Sequence, residues 1–228
     1  MTGQKDCVIV MVKYPRPGRV KTRLAATLGD SRAVDLYRCF VQDVLATLDA
    51  LPAQVLICID PPSMAQEFAV WLGPNRSFLV QYGKTLDARM DFAFAQAFDA
   101  GFERAVLLGS DLPDLPGRLV QAAFAGLASH DVVLGPATDG GFYLIGRQSR
   151  SFQNGVLTDI RWSTPAVLDA TLIRLRRSGL TVLLLEEISD VDDLEALVRL
   201  MNSNVLPKDS RTFRYLQSLE QCEPLRLH

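Results

Sequence analysis

Short apolar runs alternate along the chain with stretches whose apolar residues recur at intervals of three and four. The runs Cys7 to Val12, Val55 to Ile59, Phe78 to Gln81, Ala105 to Gly109, Asp131 to Leu134, Phe142 to Gly146 and Thr181 to Leu185 predict strands. Most of these runs are continuously apolar instead of alternating, the pattern of strands covered on both faces. Their separation by helical stretches calls for largely parallel pairing. Val34, Tyr37, Val41, Val44 and Leu48 predict one helix, and Leu86, Met90, Ala93, Phe94, Ala97 and Phe98 another. Phe92, Phe94 and Phe98 read as packing, not as a ligand box. Thr164 followed by Pro165 predicts a capped helix start. A last helical pair is expected over Asp193 to Met201 and Asp209 to Leu219, joined by a connection holding Pro207. With no repeat and no convincing linker, the expectation is a single α/β domain over residues 1–228, with a mostly parallel central sheet.

Composition narrows the function classes. The 228 residues are 48% apolar and 22% charged, ordinary globular usage. Twenty-four basic and 26 acidic residues give a formal charge of -2, so no global field attracts nucleic acid or an anionic membrane, and any anion site is local. Cys7, Cys39, Cys58 and Cys222 form no CxxC, and His130 and His228 are the only imidazoles, which argues against structural zinc and for free thiols. No apolar run approaches the roughly 20 residues of a membrane span. Met1 to Asp6 is too short and polar for a signal peptide, so a cytoplasmic location is expected.

The largest local charge anomaly follows the first strand. In KYPRPGRVKTR, Lys13, Arg16, Arg19, Lys21 and Arg23 place five cations and no acid in eleven residues. Pro15, Pro17 and Gly18 extend and then turn a loop at the carboxyl end of a parallel strand, where open α/β sheets bind ligands. Backbone N–H groups there, with arginine and lysine, suit a di- or triphosphate. Lys21-Thr22 ends like a P-loop, but the required glycines are absent, as is GxGxxG. The competing explanation is a solvated basic turn.

Three acidic segments also stand out. Asp111 lies just past the buried run Ala105 to Gly109, where a carboxylate can hold Mg²⁺ or Mn²⁺ together with substrate phosphates. Asp114, near Pro116, suits a helix cap better. Asp139-Gly140-Gly141 is either a tight hairpin turn or a place where the glycines admit a substrate and Asp139 meets its hydroxyls. Asp190, Asp192 and Asp193 precede a helix, where the macrodipole alone would favour acids.

Taken in order, VKYPRPGRVKTRL, YGKTLDARM, LLGSDLPDL, GPATDGGFYLIG, IRWST and SDVDDLEAL resemble the bacterial transferase family found beside radical-SAM and selenodomain proteins. That family shares the GT-A, nucleotide-diphospho-sugar transferase fold, a three-layer α/β/α sandwich, with molybdenum-cofactor and phospholactate guanylyltransferases. The resemblance implies a nucleotide or nucleotide-sugar donor, a small-molecule acceptor and Mg²⁺ or Mn²⁺ on Asp111 and Asp192. It also implies phosphate contacts from Lys13, Arg16, Lys21 and Arg23, supported by the Gly18 turn and by Thr22. Arg89 falls in the block beside the nucleotide edge, and Gly140 and Gly141 border the substrate. Asp111, Lys21 and Asp139 are the residues expected at the reacting group. Phe142 stands where the family commonly has tyrosine, and Asp193 where it commonly has threonine. The bond broken stays open between nucleotidyl and glycosyl transfer, and a nucleotide-binding regulatory module without turnover is the alternative.

Overall fold

The computed structural model describes residues 5–203 and 205–222. Met1 to Gln4 and His228 lie outside them, and so does the Cys222 side chain. Each of the predicted runs is a strand: β1 (Asp6–Lys13), β2 (Gln54–Asp60), β3 (Ser77–Val80), β4 (Arg104–Leu108), β5 (Val132–Pro136), β6 (Phe142–Gln148) and β7 (Val182–Leu184). They form a seven-stranded sheet in the order β3-β2-β1-β4-β6-β5-β7. Pairing is parallel except around β6, which runs antiparallel to both β4 and β5. The segment between β5 and β6 is therefore the hairpin that Asp139-Gly140-Gly141 suggested.

The helices are α1 (Thr22–Leu28), α2 (Asp30–Asp49), α3 (Ala65–Leu72), α4 (Leu86–Asp99), α5 (Gly117–Gly126), α6 (Val167–Arg177), α7 (Leu194–Asn202) and α8 (Arg211–Cys222). Two of them, α1 and α3, lie in segments to which the sequence assigned no helix, whereas α5 begins at the helix start expected near Pro116. α1 is only seven residues long, too short for its periodicity to stand out. α6 starts after Pro165, not at it. The Thr164 hydroxyl donates to the Arg161 carbonyl, while the Leu168 N–H goes to the Gly140 carbonyl at 2.8 Å. The helix start is thus docked on the hairpin turn and does not use a side-chain cap.

One face of the sheet packs Val8, Val10, Ile57 and Val106 against α2, α3 and α5 through Tyr37, Val41, Phe68 and Val120. The other packs Ile9, Cys58, Leu107 and Ile145 against α4 and α6 through Met90, Phe94, Val167 and Leu175. Alternate residues of one strand thus feed opposite cores, which is why the strands read as unbroken apolar runs. The result is three layers, helices on a sheet on helices. A third cluster lies beyond the sheet: Leu24 and Leu28 of α1 meet Leu36 and Phe40 of α2, Leu197 and Leu200 of α7, and Leu216 of α8.

α8 is anchored by a buried carboxylate. Both Asp43 oxygens accept from its first turn, from Arg211 N at 2.9 Å and Thr212 N at 2.8 Å. Removing that acceptor strands backbone donors at the helix start, where no intrahelical partner exists. Asp43→Ala is expected to lower stability by about 2–3 kcal/mol in urea titration, with amide exchange at Arg211 and Thr212 accelerated first. A change below about 0.5 kcal/mol would show that the cap does not hold α8.

Candidate active site

The carboxyl ends of the parallel strands open onto a cleft of about 600 Å³. Lys13 closes β1 there, Gly109 to Asp111 follow β4, and Gln81 follows β3; antiparallel β6 enters at the same edge with Phe142 and Tyr143. Two strand ends are clamped by Tyr37 of α2. Its hydroxyl accepts from Lys13 N at 3.0 Å and lies 3.1 Å from the Ser110 hydroxyl. Burial, reinforced by the Asp111 charge, pushes the phenol well above its ordinary range, so it stays a neutral strut.

Lys21 is the centre of the site. It occupies the left-handed region at φ 47°, ψ 44°, just before α1, a conformation that costs a non-glycine residue on the order of 1–3 kcal/mol. That turn sends the side chain inward until it is only 2% exposed. Its ammonium lies 2.5 Å from Asp111 Oδ1 and 2.8 Å from Asp192 Oδ1, and donates to the Val191 carbonyl at 2.7 Å. Three N–H donors meet three oxygens, so the group is fully satisfied. Burial alone would depress the lysine's pKa, but the two carboxylates outweigh it and hold it above its usual value. Close by, burial and the charges of Asp192 and Asp139 push Asp190 up to about 6. The locality is crowded with carboxylate.

The rest of the cleft divides by chemistry. Lys13, Arg19 and Lys84 line it without a side-chain hydrogen bond or ion pair among the described residues. Arg89 is held in place: it donates to the Gly83 carbonyl at 3.0 Å and to Asp60 Oδ2 at 3.1 Å, so its charge is partly spoken for. Met11, Met90, Phe142 and Trp162 form an apolar wall. The Trp162 indole donates to Asp87 Oδ1 at 3.0 Å and meets the Phe142 ring edge to face, which fixes its plane.

The expected site residues therefore separate. Lys13, Lys21, Thr22, Arg89, Asp111 and Asp192 come together around the cleft. Arg16, Gly18 and Arg23 are not in its lining. The Arg16 guanidinium lies 5.6 Å from the centre of the Tyr14 ring and donates to Met64 Sδ, while Arg23 is exposed on α1. Gly18, at φ 67°, supplies the turn alone. The hairpin residues also stand outside the lining. Asp139 Oδ1 accepts from Gly141 N at 2.8 Å, and a Cβ on Gly140 would lie 2.1 Å from the Pro165 carbonyl oxygen, so Gly140 serves close packing against the start of α6 while Gly141 lies against the Asp139 carboxylate. Asp114 caps no helix; α5 begins after Pro116 with no side-chain cap. Asp193 does cap α7, accepting from Ala196 N at 2.8 Å, which leaves Asp192 to face Lys21.

Lys84, Gln81, Tyr37 and Trp162 belong to the site without having been assigned to it. YGKTLDARM and IRWST had carried Lys84 and Trp162 in view, but a single lysine or tryptophan between helices gives no signal of where it points. The donor set at Asp111 and Asp192 suits a hard divalent cation: two carboxylates and the Val191 carbonyl, all oxygen, converge on one point. Among the described residues no cluster of three or more His, Cys, Asp or Glu is placed to hold a metal by itself. Such a cation would need further oxygens, as Mg²⁺ takes from substrate phosphates and water.

Comparison with known proteins places the chain. Residues 44–164 match the model of a family described as uncharacterized protein conserved in bacteria (DUF2064), and the chain belongs to that family. A crystal structure from Desulfovibrio desulfuricans G20, provisionally described as a nucleotide-diphospho-sugar transferase, is 41% identical, with 98% of this chain and 97% of that one covered and a TM-score of 0.91. The fold expected from the sequence is thus the one observed. Far more distant in sequence, 4-diphosphocytidyl-2C-methyl-D-erythritol synthase from Anaerococcus prevotii is 10% identical over 94% of this chain and 99% of that one, with a TM-score of 0.57. The inositol-1-phosphate CTP transferase of T. maritima is 11% identical over 96% and 97%, with a TM-score of 0.55. At such identities the likeness is one of fold. No curated protein sequence gives a significant match. Among the described residues no helix is long and apolar enough to cross a membrane.

If Lys21 is what balances the two carboxylates, Lys21→Met leaves them facing each other. It is expected to cost about 1–3 kcal/mol, less than for a fully buried pair because both acids are partly hydrated. Adding Asp111→Asn should return part of that loss, giving a coupling of about 0.5–2 kcal/mol in a double-mutant cycle by urea unfolding. Strict additivity would show that the contact contributes nothing.

Proposed function

We propose that this protein is a divalent-metal-dependent transferase that takes a nucleotide-activated donor and passes part of it to a small-molecule acceptor. The observation that carries this reading is the convergence of Lys21, Asp111 and Asp192 at the strand edge, beside three cations, Lys13, Arg19 and Lys84, that have no carboxylate of their own. Unpaired positive charge in a cleft is what polyphosphate binding requires.

Five lysines and arginines line the cleft, counting Lys21 and the partly paired Arg89; they match a triphosphate better than a diphosphate, and this favours nucleotidyl transfer. An acceptor oxygen attacks the α-phosphorus of a nucleoside triphosphate, the bond to the bridging oxygen breaks, pyrophosphate leaves, and the acceptor's proton passes to water. Lys13, Arg19 and Lys84 would hold the phosphates and balance the charge of the departing pyrophosphate. Asp111 and Asp192 would hold Mg²⁺ or Mn²⁺, which supplies charge neutralisation and orientation at the transferred group. The apolar wall of Trp162 and Phe142 gives a rigid surface for a ring of the donor or acceptor.

Glycosyl transfer is the second reading, favoured by the description of the Desulfovibrio relative. In that case the acceptor attacks the sugar carbon and a nucleoside diphosphate leaves. The transferases found beside radical-SAM proteins, to which the motifs point, fit either outcome.

With Mg²⁺, the four nucleoside triphosphates and a panel of sugar phosphates and phosphorylated alcohols, pyrophosphate release is expected. Asp111→Asn should lower it at least about 100-fold. Release of nucleoside diphosphate from nucleotide sugars, with no pyrophosphate from any triphosphate, would select the glycosyl reading. Nucleotide binding without turnover and without metal dependence would instead leave a regulatory module, and an undiminished Asp111→Asn enzyme would remove Asp111 from the site.

A further inference from the structure

The ammonium of Lys21 stands on the same three oxygens that make the Asp111 and Asp192 site suitable for a metal. It lies 2.5 Å from Asp111 Oδ1, 2.8 Å from Asp192 Oδ1 and 2.7 Å from the Val191 carbonyl oxygen. A divalent cation and an ammonium cannot share them, because both are positive and each needs the same lone pairs. We propose that Lys21 is an exchangeable counter-ion: it holds the carboxylate pair closed to divalent cations until polyphosphate draws it away, so that metal and nucleotide enter as one unit. This inference rests on the assignment of Asp111 and Asp192 as the metal ligands.

The surroundings permit the exchange. The lysine side chain is 2% exposed, but Asp111 and Asp192 remain 40% and 46% exposed, so a cation can reach them from the cleft without unfolding the site. Lys21 sits at the junction of α1 with the Tyr14 to Val20 segment, and its four-carbon stem can re-aim the ammonium without moving the helix. Arg19 and Thr22, its near neighbours in sequence, already line the cleft, so the phosphates they would meet are within the same locality. Linkage then works in both directions: whatever factor the nucleotide contributes to metal affinity, the metal returns to nucleotide affinity.

The probe is Mn²⁺ alone, followed by water-proton relaxation enhancement, which separates protein-bound from nucleotide-bound metal. Wild-type protein without nucleotide should take up Mn²⁺ weakly. Lys21→Met should bind it at least about 10-fold more tightly, a coupling of ordinary size, and Mn²⁺ should raise the melting temperature of this variant but not of the wild type. Lys21→Met combined with Asp111→Asn should lose the gain. If Lys21→Met does not fold, the wild type still decides: Mn²⁺ uptake should rise at least about 10-fold when a nucleoside triphosphate is added. Equal Mn²⁺ affinity in the wild type with and without nucleotide, and in Lys21→Met, would overturn the exchange and leave the metal assignment standing. No Mn²⁺ uptake by any of them under any condition would overturn both.

Discussion

The site depends on one interaction, the ammonium of Lys21 held between Asp111 and Asp192. Those residues come from three places in the chain: the turn into α1, the end of β4, and the segment before α7, with Asp192 lying 171 positions after Lys21. A lysine in this position sets the relative height of all three. Its own backbone is left-handed, so the local chain is held in a conformation that it would not choose in isolation. The compensation is electrostatic: a buried amine meets three oxygen partners, two of them on carboxylates that stay partly hydrated.

That interaction would fail without the apolar cluster behind it. Leu24 and Leu28 of α1 pack with Val191 and Leu197, residues on either side of Asp192 and Asp193, so the hydrophobic contact holds the lysine beside its acid. The direction of causation matters. Non-directional burial sets the approach of α1 to α7, and the short-range ion pair adds the direction that favours one rotamer. α8, clamped on Asp43, covers the same cluster and closes it from the far side. The carboxyl-terminal elements are therefore part of the site's support, although none of α8 lines the cleft.

How much of this was legible follows from how local each feature is. The strands were readable because a strand buried on both faces is apolar throughout, and Asp111 was readable because a carboxylate just beyond such a run has no core role. Asp192 came from the motif SDVDDLEAL, not from spacing, since nothing local separates it from Asp190 or from the capping residue Asp193. The basic loop was read as one unit, yet the fold divides it. Lys13, Arg19 and Lys21 face the cleft, while Arg16 turns to Tyr14 and Met64 and Arg23 points outward from a helix that a seven-residue stretch could not announce. Thr164 has the chemistry of a cap, but the Gly140 carbonyl took the helix N–H first. Such outcomes are decided by contacts across the chain, and composition holds no record of them.

The charge around the cleft is balanced on a lysine and not on a further carboxylate. Asp190 feels the charges of Asp192, Asp139 and Asp111, and burial first and those charges second pull its protonation upward. A further acid would stabilise a permanent metal but would repel phosphate. A permanently paired lysine would admit phosphate but exclude the metal. In the proposed exchange a cation on a flexible stem satisfies the carboxylates in the free protein and would follow a stronger anion, while Lys13, Arg19 and Lys84, without an ion pair among the described residues, would supply the charge that recruits it. Under that proposal the order in which charges are exchanged would set the specificity of the site, and the Trp162 and Phe142 wall would be left to discriminate shape.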